Sequence, residues 1–452
     1  MNVFNQPPEA KMNAIIFAAG SDGEIYPHLG LGLELMERGH HVLFITTFNY
    51  VEIARECGFE VLSILDSQEK QDFEKKTEGL GKLAKAKSYF NALADKASKL
   101  CEIVISRLDE QTILIAPPFF YSIARLVHAK YNTPYISTVL APCHVYSLKE
   151  PPEFKSTRWF SRLPYPMRKL VFRCGELLIF DPFFRGLLKK QCRSLELPLP
   201  NHVISRWWYS PQKIVGLFYD WFCPAPKDWP KQLTLVGFPM FIPNENSRQL
   251  SEGLVKFLDS GPPPVIFNPG TETQNPRDFF ETALRIVQNL GVRGIFLTHL
   301  VDHLPELPET VWHESYPPFH LLLPRARALV HHGGIGTIAL AMRAGIPQLV
   351  LPGWTDQLDN GKRAERIGCA LVQQDPLDDT SLFEKLQHLL HSAEVREACR
   401  AVQARIESGT KVRSQTVDII ETTFRSSATQ SRGATSAIPV AKIEGRNVKV
   451  RV

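Results

Sequence analysis

The sequence predicts an α/β protein built from two doubly wound parallel sheets, and three observations carry that prediction. Short apolar runs alternate with helical segments from Asn13 to Val139. The alternation breaks between residues 141 and 211, and it resumes from Val265 to Val372. Runs of this kind suit strands covered by helices on both faces. Two such sheets in tandem imply a ligand cleft between them.

Asn13 to Ala19 reads as the first strand, GSDGEIYP as a turn, and Pro27 to Arg38 as a helix that closes at Gly39. Val42 to Thr46 is the second strand. A helix from about Asn49 to Cys57, the apolar Phe59 to Leu65, the strand Thr112 to Ala116, a helix to Tyr131 and the strand Tyr135 to Val139 complete a βαβαβαβ order. Residues 68 to 108 carry Leu, Ala and Ile at helical spacing among Lys and Glu, which predicts long helices over the sheet.

The stretch Lys155 to Arg193 holds ten Lys or Arg against Glu176 and Asp181, interleaved with aromatic residues. It suits an anionic membrane surface or the wall of an apolar pocket, and equally a pair of amphipathic helices with solvated basic faces. Ile214 to Phe218 and Leu233 to Phe238 are further strands, and the polar Pro239 to Ser251 is the linker. The second alternation has strands at Val265 to Asn268, Gly294 to Thr298, near Val311, at Ala328 to Val330, Gln348 to Leu351 and Ala370 to Val372. The expected units are therefore residues 12–240 and 241–410, both Rossmann-like. A helix at 411–424 is expected to pack back on the first unit, and a disordered tail at 425–452 to follow.

At 452 residues, with 44% hydrophobic and 22% charged residues, the composition is that of an ordinary globular protein. A net charge of +5 gives no argument for nucleic acid. The eight cysteines include no C-x-x-C and the nearest pair is Cys174 and Cys192, so neither a zinc site nor a disulfide framework is indicated, and a reduced cytoplasm is expected. The longest early apolar run, Ala14 to Ala19, is too short to span a bilayer, and neither a signal peptide nor a transmembrane helix is expected.

Residues 328 to 360, ALVHHGGIGTIALAMRAGIPQLVLPGWTDQLDN, concentrate the chemistry. Gly333, Gly334 and Gly336 supply a sharp turn from a strand into a helix beginning near Thr337. Its exposed N–H groups and positive dipole end favour a phosphate or diphosphate. His332 and Thr337 flank that position, each able to donate a hydrogen bond, although a lone loop histidine also reads as structural. Asp356, Gln357 and Asn360 follow the next strand, where open α/β sheets place ligand loops, and their side chains suit sugar hydroxyls.

The combination HHGGIGT, AGIP and PGWTDQLDN resembles the donor-site signature of the GT-B nucleotide-sugar glycosyltransferases, including plant, sterol and antibiotic members. Among them, the bacterial rhamnosyltransferases of rhamnolipid synthesis are the nearest likeness, over Met12 to about Thr423. The resemblance implies that Gly270 and Thr271, in the NPGTET loop, lie near the phosphates. It also implies that Tyr316 stacks on the base and that Pro317 offers a backbone group to the pyrimidine edge. Phe319 and Leu340 depart from the Gln and Glu of plant members.

In the first unit the loop Gly20, Ser21, Asp22, Gly23, Glu24 matches the family's acceptor-side glycine loop, which ordinarily ends in aspartate. Glu24 is the candidate general base, with Asp22 and His28 as alternatives. A bland role also exists for Glu24, as a charge at a helix N-terminus. His40 and His41 read as structural.

No metal is expected, since the chain has no Asp-x-Asp triplet, and no cofactor beyond the nucleotide-sugar co-substrate. The implied activity is inverting transfer of a hexose from a UDP- or dTDP-sugar to a hydroxyl of an apolar or lipid-like acceptor. The expected setting is cytoplasmic, with peripheral contact at the inner membrane surface as a further reading. A nucleotide-sugar epimerase and a non-catalytic sugar-nucleotide-binding protein are the competing readings.

Overall fold

The computed structural model describes residues 11–64, 96–118, 122–244, 248–270, 276–353, 356–374 and 378–433. Two parallel sheets form. The first joins β1 (Asn13–Phe17), β2 (His41–Thr46), β3 (Glu60–Ser63), β4 (Thr112–Ala116), β5 (Tyr135–Val139), β6 (Lys213–Gly216) and β7 (Leu233–Leu235) in the order β3-β2-β1-β4-β5-β6-β7. The second joins β8 (Val265–Asn268), β9 (Gly294–Leu297), β10 (Val311–Glu314), β11 (Ala328–His331), β12 (Gln348–Val350) and β13 (Ala370–Val372) in the order β10-β9-β8-β11-β12-β13. The predicted fold class is the observed one.

Side-chain alternation shows why these segments pair. In β1, Ala14 and Ile16 enter one hydrophobic core while Ile15 and Phe17 enter another on the opposite face. In β8, Val265 and Phe267 enter one core and Ile266 the other. A strand buried on both faces has no polar stripe, which is what the continuous apolar runs required. Each sheet reverses its strand order beside its first strand, between β1 and β4 and between β8 and β11. The loops after β1, β8 and β11 therefore open at the two crevices where such sheets bind ligands.

The first helix departs from expectation. α1 runs Asp22–Glu37 and not from Pro27, because Ser21 and Glu24 form a capping box and Pro27 sits inside the helix. The terminal helix runs Gly409–Gly433, through the start of the expected disordered tail. Its face of Val412, Thr416, Ile420, Phe424 and Ser427 is buried, which gives those residues a reason to stay helical. It lies against α1, where Arg38 Nη1 donates to Asp418 at 2.6 Å and His40 Nε2 bonds Glu421 at 3.0 Å. Residues 434–452, and most of the helices expected over 68–108, lie outside the described residues, though 96–105 are helical.

The two sheets' units also meet through charge. Arg363, nearly buried, pairs with Asp359 at 2.8 Å and reaches Glu150, while Arg366 bonds Glu150 at 2.9 Å and Glu153 at 3.3 Å. The Glu153 amide donates to Asp359. The segment that breaks the alternation forms helices Tyr165–Gly175 and Asp181–Ser194, joined through a wide helical turn at Glu176–Phe180. No described helix is long and apolar enough to cross a membrane.

Candidate active site

The β1 loop folds back on itself. The Ser21 amide donates to Glu24 Oε2 at 2.9 Å, so the carboxylate closes over the start of α1. A side chain at Gly20 would displace the Glu24 carboxylate, since its Cβ would lie 1.5 Å from Glu24 Oε2, and the φ of +129° disfavours any other residue. Pro27 lacks an N–H, so the Gly23 carbonyl is left without its usual helical donor.

The two alternative bases have other work. His28 is fully buried, with Nδ1 2.6 Å from the Glu24 carbonyl and Nε2 2.8 Å from Thr138 Oγ1. A carbonyl only accepts, so Nδ1 carries the proton and the Thr138 hydroxyl donates to Nε2. Burial pushes its pKa down to about 4. His28 is thus a structural link between α1 and β5, a correction to its candidacy. Asp22 accepts from the Tyr50 hydroxyl at 2.8 Å and from the Tyr316 hydroxyl. Burial first, and then the Asp22 carboxylate, raise both phenols well above 10. Asp22 is therefore clasped by two tyrosines, one from each unit.

In the second unit, β11 ends at His331 and the helix Ile335–Ala344 begins after Gly334. The His332 ring lies between two glycines. A Cβ at Gly270 would come within 2.6 Å of its Nδ1, and one at Gly334 within 2.7 Å of its Nε2. Burial lowers the His332 pKa, with Asp356 and the Asn268 main chain opposing, so the ring is neutral near pH 7. Gly345 ends the helix with φ +70°.

Gly333 is corrected from ligand contact to scaffold. Its N–H donates to His331 Nδ1 at 3.1 Å and its carbonyl accepts from Asn360 Nδ2 at 3.3 Å. Its φ of +96° favours glycine, and so does space, because a Cβ at this position would lie 2.8 Å from the Gln357 carbonyl oxygen. The amides of Ile335, Gly336 and Thr337 are those without an acceptor inside the helix, and they form the candidate anion site.

Sequence reasoning missed His331. It is fully buried, accepts from Gly333 through Nδ1, and donates from Nε2 to Gln348 Oε1 at 3.0 Å. The doubled histidine at the strand's end was the available signal: the strand period turns one ring inward to hold the glycine turn and leaves the next beside the candidate anion site.

Asn360 is also corrected. It is fully buried, and its Nδ2 bonds Asp356 Oδ2 at 2.8 Å as well as Gly333. It holds Asp356 and the turn together from within the fold. Gln357 Oε1 accepts from the Gly353 amide at 2.8 Å. Asp356 and Asp359 both act electrostatically on Cys143 and His144, which follow β5. Tyr316 is 48% exposed and stacks on His299 with ring centroids 5.7 Å apart, while Pro317 is buried. Thr271 lies outside the described residues.

The two helix N-termini face one another. A Cβ at Gly336 would be 3.6 Å from Gly23 Cα. Glu24 thus stands at one helix start, and the unpartnered amides with His332 stand at the other.

Residues 295–439 match the model of the erythromycin biosynthesis protein CIII-like, C-terminal domain. The chain is 22% identical over 388 residues to sterol 3-beta-glucosyltransferase UGT80B1 of Arabidopsis thaliana, covering 79% of this chain and 59% of that protein. Among solved structures, the glycotransferase of kitacinnamycin has a TM-score of 0.70 at 18% identity, covering 91% of this chain and 99% of that one. The spinosyn rhamnosyltransferase SpnG complexed with thymidine diphosphate has a TM-score of 0.59 at 16% identity, covering 87% and 96%. Residues 295–439 are therefore similar to the erythromycin biosynthesis protein CIII-like C-terminal domain, and the chain as a whole has the GT-B fold.

Proposed function

We propose that the chain is an inverting hexosyltransferase that moves a sugar from a UDP- or dTDP-activated donor to a hydroxyl of an apolar, lipid-like acceptor. The observation that carries this reading is the approach of two helix N-termini, one bearing Glu24 and the other bearing free amides beside His332. In this reading Glu24 accepts the acceptor's proton as its oxygen bonds to the anomeric carbon. The bond from that carbon to the diphosphate oxygen breaks with inversion.

Negative charge then grows on the leaving diphosphate. It is met by the amides of Ile335, Gly336 and Thr337, by the helix dipole and by one hydrogen bond from neutral His332. This arrangement supplies the anion stabilisation without a metal ion. Asp356 and Gln357 orient the sugar, and Tyr316 offers a π face to the base. The sterol glucosyltransferase relative supports an apolar acceptor, and the thymidine diphosphate complex of a structural neighbour supports a pyrimidine nucleotide. All eight cysteines are free, which supports a reduced, cytoplasmic setting.

The test incubates the protein with UDP-glucose, UDP-N-acetylglucosamine or dTDP-rhamnose, with and without a sterol or hydroxy-lipid. Diphosphate release that requires the acceptor, with a glycoside detected by mass spectrometry, is the expected result. Epimerised donor without acceptor, or tight donor binding without turnover, would overturn the reading.

A further inference from the structure

The helix Tyr165–Gly175 has no buried residue. An isolated helix of that length is marginal in water, so its attachment needs a reason. It is held by Phe172, whose ring lies 4.2 Å from that of Tyr146, and by Arg168, which donates to the Lys149 carbonyl. Both residues lie on the inward face.

The outward face is the apolar one. Met167, Leu170, Val171 and Cys174 recur at helical spacing, and Leu177 and Leu178 extend the stripe into the following turn. Leu170, Leu177, Leu178 and Ile179 are between 62% and 71% exposed. From Met167 to Leu178 the stripe is roughly 16 Å long at the ordinary helical rise. A surface helix normally buries such a stripe.

Charge identifies the occupant. Of the charged residues from 155 to 193, the only two acids are turned inward: Asp181 accepts the amides of His202 and Val203, and Glu176 accepts from the Ser205 amide and hydroxyl. Lys169 and Arg173, by contrast, are exposed on the same helix as the stripe. Within residues 155–193 the outer surface is thus apolar and cationic with both acids turned away from it, a combination that suits an anionic bilayer.

We infer that this face, the stripe Met167 to Leu178 with Lys169 and Arg173 beside it, docks the protein on an anionic lipid bilayer. The inference deepens the proposed lipid-like acceptor. Tyr146, which anchors the docking helix, belongs to the same loop as His144, and His144 lies in the field of Asp356 on the donor side of the cleft. A lipid leaving the bilayer at this helix would therefore arrive beside the acceptor side of the cleft.

The test is sedimentation of the full chain with vesicles of phosphatidylcholine alone or mixed with phosphatidylglycerol, without donor or acceptor, so its outcome does not depend on the proposed transfer reaction. Binding to the anionic vesicles is expected, falling as salt rises. Lys169→Ala with Arg173→Ala should weaken it roughly thirty-fold, from the usual effect of two basic residues at an anionic surface. Leu170→Asp with Leu178→Asp should remove it. Unchanged thermal melting would show that these exposed substitutions leave the fold intact. Absence of vesicle binding, equal binding to neutral vesicles, or a solution dimer broken by Leu170→Asp with Leu178→Asp would overturn the inference, the last by assigning the face to a second copy.

Discussion

The Tyr316 hydroxyl donates to Oδ2 of Asp22, joining the second unit to the first across the cleft. Asp22 is held from its other side by Tyr50 at 2.8 Å. The carboxylate is therefore held by two phenols, one from each unit.

Tyr316→Phe keeps the π face and removes the hydroxyl that bonds Asp22 and Tyr26. The expected outcome is nucleotide affinity close to wild type with turnover lowered several-fold, since a hydrogen bond to a charged group contributes about 1.5 to 3 kcal/mol and exposure reduces it here. Asp22→Asn should do the same. The double variant should be no worse than the more severe single one, because both remove one shared interaction. Additive losses would mean that the two side chains act separately.

His332→Asn should lower turnover by about 10² to 10³, the usual loss for one oxyanion-type donor. The smaller side chain keeps a polar group in the slot between Gly270 and Gly334, so the melting temperature should change little. Donor kinetics beside a melting curve check this. Wild-type kinetics would remove His332 from the anion site.

Stability should fall in mild acid through His28 and His331. Burial depresses His28 to about 4 and His331, with help from His332, to about 3. The folded state resists a proton that the unfolded chain takes up below about 6.5, so the contribution is complete above that pH and is lost as pH falls toward 4. For His28 the loss by pH 5 is roughly 2 kcal/mol. Urea unfolding at pH 7 and pH 5 should show it. His28→Asn should be less stable at pH 7 yet lose less on acidification, and an equal acid loss in both proteins would assign the effect elsewhere.

The strands were legible because each is apolar on both faces, a pattern that Ile15 and Ile16 carry as plainly as Ile266 and Phe267 do. The start of α1 was misread because Pro27 suggested a first helical residue, whereas the cap lies at Ser21 and depends on the reach of Glu24. The division of labour between His331 and His332 was hidden for a different reason. Two identical side chains in sequence differ only in the face that the strand presents. Asn360 misled by type: a carboxamide suits sugar hydroxyls, but here one buried amide spans Gly333 and Asp356. The inward turn of Glu176 and Asp181 is tertiary, so the basic segment's outer charge could be counted only in the fold.

Glu24 has two proposed roles that substitution can separate. As a cap it accepts the Ser21 amide through Oε2, and as a base it takes the acceptor's proton. Glu24→Gln keeps a carbonyl oxygen of the same reach, so the cap and the melting temperature should survive while proton acceptance is lost. The rate should then fall by about 10² to 10⁴ with donor affinity retained. Glu24→Asp is one methylene shorter. It should lose the contact with Ser21 and about 0.5 to 2 kcal/mol of stability, yet keep substantial activity because the carboxylate remains. The two variants are therefore expected to fail in opposite measurements, Gln in single-turnover rate and Asp in thermal stability. A Glu24→Gln protein of nearly wild-type rate would leave Glu24 as a cap alone and assign the base to another group, with Asp22 next to be tested.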